Sequence, residues 1–222
     1  MDHKNSIDFK GLIDNKIRTL QVLEGVEIIE HHINKGIAGE KLEKIETTLG
    51  YELPPEMVNF YTAINGFQLQ WRYELKTKEL YGFWDVWSLE RLFFGWDGKI
   101  TKSNATNPFE DILWNDEYEV HEIKELKKHK VIESIEGESA YVTCKIENRK
   151  LALFYVNENS VKMLSLDFEN YMQIIIDTLG IGDIRAKLAK PKFFENPLVY
   201  PDLKKLHGLI AVDFNNFPGY AG

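Results

Sequence analysis

Between Leu42 and Gly66 the chain reads LEKIETTLGYELPPEMVNFYTAING, a helix, a stop, a second helix and a second stop. Leu42, Ile45 and Leu49 fall on one helical stripe, while Glu43, Lys44 and Thr47 face elsewhere. Gly50 follows at once and supplies the positive φ that ends a helix at little cost. Pro54 and Pro55 suit the start of the next helix, where no intrahelical acceptor waits for the missing N–H, and Glu56 meets the positive end of its dipole. Val58, Tyr61 and Ile64 make the second stripe, which Asn65-Gly66 is expected to close. The segment braces something and carries no chemistry of its own.

What it braces follows directly. Phe67, Leu69, Trp71, Tyr73 and Leu75 alternate with Gln68, Gln70, Arg72 and Glu74, so the period changes from 3.6 to two and predicts a half-buried strand. Lys76 to Lys78 turns the chain, and Leu80 to Trp87 returns as its antiparallel partner. Ser88 is placed to cap a short helix through Leu92. Further on, Ala140, Val142, Cys144 and Ile146 alternate again, and Glu147 to Arg149 forms a turn. Leu151 to Val156 is apolar on both faces, as a central strand is, and Val161 to Leu164 is an edge or near-edge strand. Asp167 caps a last helix whose Phe168, Tyr171, Met172, Ile175 and Leu179 pack on the sheet before Gly180. Upstream, Ile13, Ile17 and Leu20, and past Gly25 also Ile29 and Ile33, predict one or two amphipathic helices. His31 and His32 then stand about 100° apart on a helix, which is poor metal-pair geometry.

Glu46, Leu49-Gly50, Leu53-Pro54, Tyr61 and Asn65-Gly66 together resemble the signature of the SUKH superfamily, E-x-x-L-G-x-x-L-P, an aromatic-bearing helix, then N-G. The strand-turn-strand run from Ser139 to Gly180 resembles the end of the same domain. Two positions depart from the pattern: Glu136-Gly137-Glu138 stands where a Gly-Gly-Asp is common, and Asp167-Phe168 where Ser-Phe is common. The resemblance implies an α+β fold, N-terminal helices packed with a mostly antiparallel twisted sheet of about six strands, a late helix and an extended C-terminal tail. The SUKH-like domain is expected over residues 1–184 with an insertion near 94–128, followed by a proline-rich tail over 185–222 packed on the domain. The same resemblance implies a protein-recognition surface. Bacterial members are immunity proteins that neutralise toxins, often nucleases, and the related fungal family includes a regulator of cell-wall glucan synthesis.

Charge and composition agree with a binding role. With 27 Lys or Arg against 35 Asp or Glu the chain carries −8; six of the bases and three of the acids lie from Arg185 onward, leaving 21 against 32, or −11, before it. Such a body repels nucleic acid and anionic membranes and attracts basic partners, among them the toxin nucleases that must offer a basic cleft to phosphate. With 44% hydrophobic residues the chain is no disordered segment, and its apolar runs are strand-sized. A lone Cys144 in a strand register and a polar N-terminus without an apolar signal core predict a cytoplasmic protein with a buried thiol.

No motif for catalysis or a cofactor stands out. Glycine loops and the G-x-S-x-G elbow are missing, and His121-Glu122-Ile123-Lys124-Glu125 begins a zinc-protease helix but has Glu125 where the second His belongs. Neither an enzyme nor a metal or cofactor is therefore expected. Asn104-Ala105-Thr106 matches a glycosylation acceptor that a cytoplasmic protein would leave idle. The aromatics Phe83, Trp84, Trp87, Phe93, Phe94 and Trp96 crowd the region after the second strand. From it the expected partner-binding residues are Trp84 and Trp96 as anchors with Asp85 and Asp97 as rim, joined by Glu136 and Glu138 from the turn before the third strand.

Overall fold

The computed structural model describes residues 7–75, 78–106, 125–135, 140–157, 160–190, 193–214 and 217. His121 to Lys124 of the failed zinc-protease match and Glu136 and Glu138 lie outside these residues, and the turn at 76–78 lies mostly outside them.

Helix α1 (Phe9–Val22) opens where Asp8 accepts the Gly11 N–H at 2.9 Å, and it buries Phe9, Ile13, Ile17 and Leu20. Past Gly25 the chain does not continue as a helix. Val26–Lys35 is a strand, β1, paired antiparallel from Val26↔Tyr73 to Lys35↔Ile64. The β-branched Val26, Ile28, Ile29 and Ile33 favour it, and a bulge at Ile29 shifts the alternation by one residue. That shift puts a helix-like spacing into the sequence and leaves Ile29 half exposed. On a strand, His31 and His32 point to opposite faces, and His32 Nε2 lies 2.8 Å from Asn34 Oδ1.

Helices α2 (Gly39–Leu49) and α3 (Pro55–Ala63) form as expected, with Gly50 at φ 79° and Pro54 at the N-cap of α3. Glu46 Oε1 accepts the Leu53 N–H at 2.8 Å, fixing the turn between them while Leu53 is buried. The apolar face of α3 is Met57, Phe60 and Tyr61, with Val58 only partly buried. Asn65-Gly66 does not close the helix. Ala63 ends it, and Ile64 begins strand β2 (Ile64–Leu75), inside which Gly66 bends the chain at φ 86°.

Strands β3 (Lys78–Val86), β4 (Lys130–Ile135), β5 (Ala140–Glu147), β6 (Lys150–Asn157) and β7 (Ser160–Leu164) complete an antiparallel meander of seven strands in sequence order. Five of these, β2, β3, β5, β6 and β7, are the strands expected individually from the sequence, and β1 and β4 are additional to them. One face of the sheet carries the main core. There α1, α3 and α6 (Phe168–Asp177) pack through edge-on rings, with Phe60 5.2 Å from Phe9 and 5.4 Å from Phe168. Asp167 Oδ1 caps α6 at 2.7 Å from the Asn170 N–H. Cys144 is buried on this face, and burial pushes its thiol up to about 12.

The sheet parts between β3 and β4, which pair only at Val86↔Glu133, next to a bond from the Trp87 N–H to the Ile132 carbonyl. Farther along, β3 bonds instead to the turn after α6: the Phe83 N–H donates to the Gly180 carbonyl and the Gly182 N–H to the Tyr81 carbonyl, each at 3.1 Å. Arg185 plugs the wedge. Its guanidinium donates to the Gly180 carbonyl at 2.8 Å, to the Phe83 carbonyl at 2.7 Å and to the carboxylate of Glu133, which also accepts the Tyr171 hydroxyl. Arg185 and Glu133 are 1% and 0% exposed, so this ion pair sees no solvent.

The C-terminal part is helical where sparse regular structure was expected. After α7 (Ile184–Leu188), Pro197 starts a 3₁₀ turn and Pro201 starts α8 (Pro201–Leu209), the position at which proline costs a helix nothing. Phe193, Leu203, Leu206, Ile210, Val212, Phe214 and Phe217 are buried in the main core.

On the other face of the sheet Trp87, Val131 and Val156, with Leu126, form a second cluster flanked by Tyr141 and Phe154. β6 is thus covered on both sides. His129 joins this layer, its Nδ1 2.8 Å from Thr143 Oγ1 and its ring 4.5 Å from Phe154. Burial, with the charge of Lys145, lowers its pKa to about 4. The fold holds the ring neutral, whereas the unfolded chain takes up a proton near pH 6.5. His129 therefore costs no stability above about pH 6.5, and stability falls as the pH drops toward 4, by about 3 kcal/mol. Urea unfolding of the wild type and of His129→Gln between pH 7 and 4 should show a shallower acid loss in the variant; parallel curves would remove His129 from the account.

Candidate protein-binding site

The site is assembled where β3 ends on the outer face. Alternation sends Trp84 and Val86 into the main core and turns Asp85 and Trp87 the other way. The next residues form a short helix, α4 (Leu89–Phe94), whose start is held by two side-chain acceptors. Ser88 Oγ takes the Arg91 N–H at 3.3 Å, and Asn65 Oδ1 takes the Leu89 N–H at 2.9 Å. Asn65 in turn donates to Glu90 at 2.7 Å, and Glu90 pairs with Lys41 of α2. Gly66 lies against the same corner: a Cβ there would stand 2.7 Å from the Val86 carbonyl oxygen and 2.8 Å from the Ser88 nitrogen. The Asn65-Gly66 pair thus sets the angle at which α4 leaves the sheet.

That angle lays Arg91 over Trp87, with its guanidinium carbon 3.9 Å from the ring centroid. Gly95 ends α4 at φ 86°, and the chain doubles back so that Trp96 meets the same guanidinium at 4.4 Å. The two indoles are 5.3 Å apart and inclined by 52°, which makes a notch with Arg91 seated in it. Burial lowers the Arg91 pKa, while the nearby charge of Asp85 acts to raise it. Trp87 is buried and Trp96 is 56% exposed, so the notch has a solid floor and an exposed wall.

The structure sorts the expected contact residues. Trp84 cannot be a surface anchor: it is fully buried, edge-on to Phe67 at 5.0 Å, and packed against Gly180. Trp96 is exposed, with Asp85 and Asp97 near it in the chain. Asp85 is half-buried and accepts from Trp87 Nε1 at 2.9 Å and from the Ser134 hydroxyl. Asp97 is exposed, and the Lys99 backbone N–H together with the Lys99 ammonium holds its carboxyl below the usual range. Asn104 of α5 (Lys102–Thr106), the glycosylation match, donates to Asp97 at 3.1 Å and to the Lys99 carbonyl at 3.2 Å. Arg91 escaped sequence reading, although its spacing of four from Trp87 on a capped helix was a usable signal.

Among the described residues, no group of three or more His, Cys, Asp or Glu is placed to hold a metal ion. An open cavity of about 430 Å³ is lined, among the described residues, by Asp14, Ile17, Arg18, His31 and Ile33. No described helix is long and apolar enough to cross a membrane.

A helix–turn–helix corner bracing an antiparallel meander, tied by Glu46 at one turn and by Asn65 at the next, is the α+β architecture that the SUKH resemblance implied. The chain belongs to the SMI1 / KNR4 family (SUKH-1), whose family model matches residues 36–175. The match begins just before α2 and ends within α6, so α1, β1 and everything from α7 onward lie outside it. No curated protein matches the chain closely enough to add an individual relative.

Proposed function

We propose that this chain is a non-enzymatic protein-binding domain acting as an immunity protein, which binds a basic bacterial toxin domain, of the nuclease type, and blocks it. The observation that carries the reading is the Trp87–Arg91–Trp96 notch, an aromatic and arginine cluster with a buried floor, the composition in which binding energy concentrates at protein interfaces. Membership of the SUKH-1 family supports it, as does the −11 balance before Arg185, which draws a basic partner in and speeds encounter.

The test is capture from the native cell followed by expression of the captured protein alone and together with this chain. Growth arrest by the partner alone, relieved by co-expression, is the expected result. A set of harmless partners would overturn immunity and favour an intracellular regulatory or scaffold role like that of the fungal relative. Trp96→Ala should weaken capture about tenfold while shifting unfolding by no more than about 1 kcal/mol, because the ring is mostly exposed. Undiminished capture would move the contact elsewhere. Replacing Glu136 and Glu138 together by Lys should slow association at low salt and leave dissociation nearly unchanged, since rim charges act on encounter. Stopped-flow rates that do not fall would remove these two glutamates from the expected contacts.

A further inference from the structure

Among the described residues the charges around Trp96 are mixed, the carboxylates of Asp85 and Asp97 standing beside the cations Arg91 and Lys99. Both carboxylates are engaged locally, Asp85 by Trp87 Nε1 and Ser134, and Asp97 by Lys99 and Asn104. Of these charges Arg91 is the one whose side chain makes no hydrogen bond or ion pair among the described residues, although Asp85 acts on it electrostatically. Among the described residues none of its side-chain nitrogens reaches a hydrogen-bond acceptor or a carboxylate, and Nε is buried in that state. The indole faces support the positive charge from above and beside it, yet they offer no lone pair in the guanidinium plane. Nε is closed off, whereas the two Nη groups are not buried without a partner and are the ones an in-plane acceptor carried by another protein can reach.

We propose that the Trp87–Arg91–Trp96 notch is the receptor for a carboxylate side chain, Asp or Glu, presented by the protein partner, with the stem of that side chain lying on Trp96. The inference rests on the protein-binding reading above and adds the chemistry of one contact. A carboxylate matches the planar fork of arginine with two parallel bonds, where a lysine ammonium provides only a point charge. Two rings fix Arg91 on one side and the capped start of α4 fixes its backbone on the other, so little freedom is left to lose on binding. Asp85 lies close enough to act on Arg91 electrostatically, but Trp87 and Ser134 hold its Oδ2, and it makes no ion pair with the fork. The acidic body weakens the binding of free anions without abolishing it, so a free carboxylate binds at high concentration and a carried one binds best. A carboxylate therefore reaches the notch most readily when it is carried by a surface that is otherwise basic, which makes this contact a selector among basic partners.

Two measurements test this. The isolated chain is titrated with the α-amides of N-acetylglutamate, N-acetylglutamine and N-acetyllysine while the indole N–H signals of Trp87 and Trp96 are followed by NMR. The glutamate probe should shift both signals saturably, the other two should not, and Arg91→Lys should weaken the effect about tenfold. No shift with glutamate, an equal shift with glutamine, or full retention in Arg91→Lys overturns the proposal. In the second measurement Arg91→Lys and Arg91→Gln, with urea midpoints shown to match wild type, are compared for partner capture. About tenfold weaker capture by both supports the notch. Undiminished capture sinks the carboxylate contact and leaves the protein-binding reading standing. A bound glutamate probe without any captured partner does the reverse.

Discussion

Arg185→Ala should lower the unfolding free energy by about 4 kcal/mol, seen as an earlier urea midpoint at unchanged slope. The guanidinium is 1% exposed and reaches three acceptors, the Phe83 and Gly180 carbonyls and the Glu133 carboxylate. Removing it strands a carboxylate that is 0% exposed, with the Tyr171 hydroxyl as its remaining donor. It also opens the wedge between β3 and β4, where a single residue pair joins the strands. The large cost comes from the stranded partner more than from the lost attraction. Arg185→Met combined with Glu133→Leu should therefore recover about half of the loss, since two apolar side chains can fill the space and Gly180 keeps the Phe83 N–H, but the Phe83 carbonyl and the Tyr171 hydroxyl lose these partners. A loss below about 1 kcal/mol for Arg185→Ala would mean that the strands hold together without the plug.

Gly66→Ala should cost about 4 kcal/mol as well, by a different route. At φ 86° an L-residue is strained, which accounts for about 1–3 kcal/mol. The new methyl group would also stand 2.7 Å from the Val86 carbonyl oxygen, 2.8 Å from the Ser88 nitrogen and 2.9 Å from the Trp87 carbonyl carbon. All three are backbone atoms and cannot rotate aside, so β2 or the start of α4 must shift, at about 1–3 kcal/mol more. Because α4 carries Arg91, the indole signals of Trp87 and Trp96 should move in the same variant. A stable Gly66→Ala with unmoved indole signals would show that the corner does not set the notch.

Helix α2, the strands β2, β3, β5, β6 and β7 and the capped α6 are legible because each is a local pattern with a local stop, such as Gly50 after Leu49 or Asp167 before Phe168, whereas β4 mixes Lys130, Glu133 and Ser134 with its apolar residues and shows no clean alternation. β1 was misread for a physical reason. Its bulge at Ile29 breaks the two-residue period that identifies a strand, and the spacing of Ile29 and Ile33 then matches a helix. The C-terminal part misled because proline count was taken as a mark of irregular chain, whereas Pro197 and Pro201 each begin a helical turn. The notch was half legible. Trp96 could be singled out by type, but whether Trp84 or Trp87 faces outward depends on strand parity, and the parity is fixed only by where β3 pairs with β2. Arg91 has meaning only once Gly95 turns Trp96 back onto it.

The plug between β3 and β4 also sets where the chain can be cut. Arg185 lies ten residues past the last residue that the SUKH-1 family model matches, yet its acceptors Phe83 and Glu133 lie inside that match. A truncation trimmed to the matched span would keep a buried acid with no base to answer it. The helices past the match and the sheet inside it are therefore one folding unit.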